Sequence, residues 1–229
     1  DVDGMLVDSV GTGGDGLNTF NISTAAAFVA AGAGLKVAKH GNRAASGTCG
    51  SADVLEELGV RIELPPEDVE RCIRESGIGF MFAQAFHPAM RHAGPVRREI
   101  GIRTVFNILG PLTNPAGATA HLIGVADPAY GEKMAQVLGT MGSTHALVVH
   151  GSDGLDEITL AGHTRVWEMK EGTVSSYNLS PEELGFSRVR REVLRAGTVD
   201  ESVRMLRVVL EGTPGPARDI VLINSAAAL

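Results

Sequence analysis

Three short stretches hold residue types that could act on a phosphate-bearing ligand. Gly11-Thr12-Gly13-Gly14-Asp15-Gly16 is a glycine loop, and glycines let backbone N–H groups approach phosphate oxygens closely. Asn21, Ser23 and Thr24 follow it, where a helix N-terminus would add unpaired N–H donors and the positive end of its dipole. Asn21 or Ser23 could equally serve as an ordinary helix cap. Lys39-His40-Gly41-Asn42-Arg43-Ala44-Ala45-Ser46-Gly47 offers two fixed cations, an imidazole and small donors. Such a set suits oxyanions better than it suits a merely solvated turn. Finally, Gly151-Ser152-Asp153-Gly154-Leu155-Asp156-Glu157 places two adjacent carboxylates in a loop. That is a common way to hold Mg²⁺ shared with substrate phosphates, although an exposed acidic turn would look the same.

Rival chemistries fit less well. The glycine loop satisfies G-x-G-x-x-G, but a dinucleotide fold wants its helix to open at the loop and an acid about 20 residues on. No Asp or Glu occurs between Asp15 and Asp53, where Lys36, Lys39, His40 and Arg43 stand instead. There is no G-x-x-x-x-G-K-[ST], no H-E-x-x-H and no G-x-S-x-G, and Leu155 breaks an EF-hand pattern.

These stretches need a scaffold that brings them together. Apolar runs of strand length alternate with helical patterns. Strands are expected at Met5–Val10, Leu35–Ala38, Ile78–Phe82, His121–Val125 and Ala146–Val149. Helices are expected at about Asn21–Ala33, Ser51–Leu58, Glu67–Glu75 and Pro128–Met141. That order predicts an α/β fold with a mainly parallel central sheet flanked by helices. Val166 to Val174, turning at Glu171-Gly172, reads as an edge hairpin on which Trp167 packs. Val199, Val203, Leu206 and Leu210 read as a core stripe of one helix. Residues 87–104 interrupt the rhythm with a more basic helical excursion, so the sheet domain is expected over 1–86 and 105–229.

With 20 Lys+Arg against 27 Asp+Glu among 229 residues, the net charge of −7 gives no basic surplus for nucleic acid. The least charged stretch, Thr19 to Leu35, is too short and too rich in Ala and Gly for a membrane span. Cys49 and Cys72 stand apart and fit reduced thiols in a cytoplasmic protein. The sequence starts at Asp1 without Met and stops within a helical pattern, as a piece of a longer polypeptide would.

The glycine loop, Asn21-Ile22-Ser23-Thr24, Lys39-His40-Gly41-Asn42-Arg43, Cys49 through Glu56, Asn107-Ile108-Leu109-Gly110-Pro111-Leu112-Thr113-Asn114-Pro115 and Gly154-Leu155-Asp156-Glu157 run in an order that closely resembles the anthranilate phosphoribosyltransferase family. The resemblance implies a fold shared with pyrimidine nucleoside phosphorylases: a large α/β domain and a small helical domain through which the family usually dimerises. It implies transfer of the phosphoribosyl group from 5-phosphoribosyl 1-diphosphate to the amine of anthranilate. Gly11, Gly14, Asp15, Thr19, Asn21, Ile22, Ser23, Thr24, the run from Lys39 through His40, Gly41, Asn42, Arg43, Ala44, Ala45 and Ser46 to Gly47, and Ser51 would bind the diphosphate substrate. Gly11, Asn42 and Arg97 would contact anthranilate, and Ser23, Asp156 and Glu157 would hold Mg²⁺. Gly47 stands where the family commonly has Ser, and the family's N-terminal helices lie outside this sequence. A nucleoside phosphorylase or a binding fragment without turnover stays open beside the transferase; the Asp156-Glu157 pair weighs against the phosphorylase, which needs no metal.

Overall fold

The structure, a computed structural model, describes residues 2–44, 49–89, 92, 99 and 104–229. The chain runs β1 (Leu6–Gly11), α1 (Ile22–Gly32), β2 (Lys36–Gly41), α2 (Ser51–Glu57), α3 (Pro66–Ser76), β3 (Ile78–Phe82) and α4 (Ala83–Phe86). It continues through α5 (Phe106–Leu112), β4 (Ala120–Gly124), a 3₁₀ turn at Pro128–Tyr130, α6 (Gly131–Thr140) and β5 (His145–Gly151). The last elements are β6 (Thr164–Lys170), β7 (Thr173–Leu179), α7 (Val199–Leu210) and α8 (Pro216–Ala228). The expected excursion at 87–104 falls largely outside the described residues.

The strands form one sheet in the order β3-β2-β1-β4-β5-β6-β7. The first five are parallel, and β6 and β7 add as antiparallel edge strands. Strand alternation divides the core between two faces. Leu122, Val149 and Val166 face α1, α7 and α8, while Ile123, Val148 and Met169 face α6. Farther along, Ala38 and Met81 pack under α3.

Most expected elements are present, with informative differences. β2 extends to Gly41, so Lys39 and His40 are buried strand residues, not members of a loop. The expected helix at Pro128–Met141 divides into the 3₁₀ turn and α6. Trp167 turns into the α6 layer, where a side chain at Gly131 would collide with its ring. On α7, Val203 and Leu206 are buried, but Leu210 is exposed and Val209 takes its place in the core. Leu210 lies at the helix terminus, one position past the buried face.

Candidate active site at the switch point

From β1 the chain winds outward to β2 and β3 on one side, and β4 and β5 lie on the other. The carboxyl ends of β1 and β4 therefore flank the topological switch point, where open α/β sheets bind ligands. Gly11 ends β1 and Gly124 ends β4. A Cβ on either would collide with Asp156, at its carboxylate for Gly11 and at its backbone carbonyl for Gly124. Two glycines thus admit the loop that follows β5 into the crevice. Asp156 Oδ2 accepts a 2.7 Å hydrogen bond from the Gly13 N–H, so the glycine loop closes on this carboxylate.

The exposed acidic turn that the sequence left open is not what forms. Asp156 and Glu157 are 9% and 8% exposed. Burial, with Asp15 close by, pushes the Asp156 carboxyl up to about 7. Glu157 is held well above the usual carboxylate range by burial and by Asp156, against a lowering pull from Lys39 and from the Ser23 N–H. Lys39 is 2% exposed, and its Nζ donates to the Ser9 carbonyl at 2.6 Å and to Ser23 Oγ at 3.3 Å. Burial lowers its pKa, while Asp8 and Glu157 oppose that shift.

A second buried corner forms around His40 and Asp8. His40 is 4% exposed, and its ring meets His87 edge-on at 5.0 Å between centroids. Burial, with His87 second, lowers the His40 pKa to about 4. Asp8, fully buried in β1, accepts from the His40 N–H at 3.3 Å. Among the described residues its Oδ2 accepts no hydrogen bond of good geometry, and burial, opposed by the nearby Asn114 amide, raises its carboxyl to about 6. Asn114 braces the same corner by donating to the Ala38 carbonyl at 2.8 Å.

The remaining candidates sort clearly. Asp15 accepts from the Leu17 N–H, Gly14 sits in the loop at φ 78°, and Thr19 bridges to Arg195. Asn21 stands at the cap position of α1, but its side chain caps nothing: Oδ1 accepts the Thr24 hydroxyl, and its N–H donates to Ser202 Oγ. Thr24 is buried and acts through Asn21. Ile22 places its side chain in the core, and its N–H donates to the Phe20 carbonyl. Arg43 is tied to Glu56 and Asp53 on α2, so its guanidinium is already engaged. Gly41 packs against Ser51 and Phe80, and the Asn42 carbonyl accepts from Ser51 Oγ and the Ala52 N–H. Ala44 donates its N–H to Asp53. Ala45, Ser46, Gly47 and Arg97 lie outside the described residues. Asp8, Asp53 and Asn114 escaped the sequence reading as functional candidates. The signal for Asp8 was a carboxylate inside an otherwise buried strand, Val7-Asp8-Ser9-Val10.

The residues present fit a hard divalent cation. The buried Asp156 and Glu157 carboxyls crowd each other and the half-buried Asp15, with Lys39 beside Glu157, so a further positive charge would relieve them. Among the described residues no three His, Cys, Asp or Glu side chains form a metal cage by themselves. Mg²⁺ ordinarily needs none, since it takes one or two carboxylates and completes its shell with water and phosphate.

The sequence pattern of the glycosyl transferase family, a/b domain, matches residues 3–229. The chain is 60% identical over 225 residues to the anthranilate phosphoribosyltransferase of Symbiobacterium thermophilum, and 62% identical over 229 residues to that of Herpetosiphon aurantiacus. These matches take in 98% and 99% of the chain but only about two thirds of the relatives' length, 66% and 68%. The crystal structure of anthranilate phosphoribosyltransferase from Thermus thermophilus superposes with a TM-score of 0.93 at 52% identity, covering 99% of this chain and 68% of that one. The Saccharomyces cerevisiae enzyme in complex with PRPP (5-phosphoribosyl 1-diphosphate) and Mg gives a TM-score of 0.88 at 32% identity, covering 99% and 64%. With this agreement in sequence and fold over nearly its whole length, the chain belongs to the anthranilate phosphoribosyltransferase family and comprises its α/β portion.

Proposed function

We propose that this chain is the α/β part of an enzyme that transfers the phosphoribosyl group of 5-phosphoribosyl 1-diphosphate to the amine of anthranilate, releasing diphosphate. The observation that carries the reading is the convergence of the glycine loop, Lys39, Ser23, Asp156 and Glu157 on one switch point. The yeast relative, in complex with PRPP and Mg, supports the same substrate and ion for this chain.

The reading divides the labour among these residues. The glycine loop and the start of α1 lie against the carboxylate pair, the Gly13 N–H serving Asp156 and the Ser23 N–H serving Glu157. Asp156, Glu157 and Ser23 would hold Mg²⁺, which when bound supplies positive charge to a leaving diphosphate. Lys39, tied to the Ser9 carbonyl, holds Ser23 by a hydrogen bond and sets its charge beside Glu157. Asn42, whose carbonyl accepts from Ser51 Oγ, would orient the aromatic amine, a nucleophile that needs no prior deprotonation. Catalysis on this reading is electrostatic preorganisation and positioning, without a dedicated general base. Arg97 completes the anthranilate contacts by pairing with its carboxylate.

The reading includes residues 1–86 and 105–229 as the large domain, 87–104 as an excursion into a helical domain, and a homodimer formed through that domain. It places the enzyme in the cytoplasm, where the free thiols Cys49 and Cys72 stay reduced. The test is loss of anthranilate fluorescence with 5-phosphoribosyl 1-diphosphate and Mg²⁺, repeated with EDTA. Metal-dependent loss with formation of N-(5-phosphoribosyl)anthranilate is expected. Release of a free base from a nucleoside and inorganic phosphate, without that product, would overturn the reading.

A further inference from the structure

The segment joining β2 to α2 has a tight neck, built from residues on both of its limbs. The Asn42 carbonyl accepts the Ala52 N–H at 3.2 Å and Ser51 Oγ at 3.3 Å. At Gly50 the limbs are in direct backbone contact. A Cβ there would lie 2.6 Å from the Asn42 oxygen and the Arg43 carbonyl carbon, and closer still to the Ala44 nitrogen. Asp53 joins the limbs: its Oδ2 accepts from the Ala44 N–H at 3.1 Å and from the Gly50 N–H at 2.9 Å. Its Oδ1 receives Arg43 Nη1 at 3.2 Å. The same guanidinium grips Glu56 with both of its terminal nitrogens, at 2.9 Å for Nη2, and lies 5.6 Å from the Phe82 ring centroid.

An ordinary capping box explains only the bond from Gly50, the residue before α2. It does not explain why Asp53 also reaches back nine residues to Ala44, or why Arg43 commits its fork to α2. Resting on the function proposed above, we infer that Asp53, with the Arg43–Glu56 clasp, is the positioning device that sets Asn42 and Ser51 for the phosphoribosyl substrate. Arg43 acts through Glu56 and not as a phosphate ligand. A carboxylate suits this neck because both of its backbone partners are donors. The two backbone donors share Oδ2 and Arg43 takes Oδ1, so an amide at position 53 must turn N–H₂ either toward both backbone N–H groups or toward the guanidinium, and loses part of the neck with almost no change of shape.

The experiment is calorimetric binding of 5-phosphoribosyl 1-diphosphate with Mg²⁺ to the chain and to Asp53→Asn, Arg43→Gln, Glu56→Gln and Arg43→Gln/Glu56→Gln, each with its Tm. Asp53→Asn is expected to weaken binding about tenfold, the scale of one hydrogen bond to a charged group. Arg43→Gln should weaken it about two- to fivefold and Glu56→Gln by no more than that, since Arg43 also holds Asp53, with nothing beyond the Arg43→Gln loss in the double variant and Tm nearly unchanged. Wild-type affinity in Asp53→Asn, or a loss in Arg43→Gln that far exceeds Glu56→Gln and adds in the double variant, overturns the inference. If Asp53→Asn does not fold, the exposed Arg43–Glu56 pair carries the test alone. Turnover in the same samples separates the two claims. Binding without turnover in the unmodified chain overturns the proposed reaction while the affinities still judge the neck, and absence of binding overturns both.

Discussion

The two halves of the sheet treat charge in opposite ways. In the parallel half, Asp8, Lys39 and His40 sit inside strands at 0%, 2% and 4% exposure, and Asp156 and Glu157 are pressed against the strand ends. In the antiparallel edge, charges stay near water and pair across strands. His145 Nε2 meets Glu168 Oε1 at 2.7 Å, and Arg165 donates to Ser176 Oγ at 2.6 Å. Burying an ionisable group costs several kcal/mol, and partners only partly offset it. An edge strand obtains cohesion from cross-strand pairs at little cost. The contrast teaches that the parallel half gives up stability to assemble charge where a ligand can use it, while the hairpin completes the sheet.

Breaking the parallel side should therefore do the most damage. Asp156→Ala/Glu157→Ala is expected to lower turnover by about 10²–10³-fold or more in the fluorescence assay, the scale of lost electrostatic stabilisation. Near-normal turnover with Mg²⁺ present would detach the pair from the chemistry. Lys39→Met strands Glu157 and Asp8 without their cation, at about 3–5 kcal/mol of stability by urea unfolding.

Between pH 4 and 6 two neighbours oppose one another. The folded Asp8 carboxyl, raised from 3.8 to about 6, contributes stability at low pH that is lost as pH rises through 6. The folded His40 imidazole, lowered from 6.5 to about 4, contributes stability above pH 6.5 that is lost as pH falls through 4. Asp8→Asn removes the Asp8 effect and leaves His40, Asp156 and Glu157 as they are, so stability should climb with pH over this window more steeply, or fall less, than in the unmodified chain, by up to about 3 kcal/mol. An unchanged urea-midpoint profile from pH 4 to 7 would contradict that pairing. On the edge, Glu168→Ala should cost below about 1 kcal/mol, since its partner His145 is 43% exposed. A larger drop in Tm would erase the distinction between the two halves.

Sequence made the scaffold legible where periodicity and composition decide structure. β3 is found where its apolar run stands, and the edge hairpin turns at Glu171-Gly172, with Glu171 at positive φ. The glycine loop and the Asp156-Glu157 pair were legible as candidates because their residue types are costly to place without use, and Asp156 meets the loop through the Gly13 N–H. Partners were not legible. Nothing along the chain says that Arg43 turns to Glu56, or that Ile22 gives its N–H to Phe20. Those choices depend on which limb of the chain folds back. The roles of Asp8 and Asn114 depend in the same way on β2 running on to Gly41.

The most direct test of charge assembled at the cost of stability is the Tm of the chain and of Asp156→Asn at pH 8, with and without 5-phosphoribosyl 1-diphosphate and Mg²⁺. The Asp156 carboxyl, raised from 3.8 to about 7, gives up its stabilising contribution as pH rises through 7, so at pH 8 the buried charge is a burden. The variant should then melt at or above the unmodified chain without ligand, and lose most of the ligand-dependent rise. A variant that melts well below the unmodified chain yet keeps the full rise with substrate and Mg²⁺ would contradict the account.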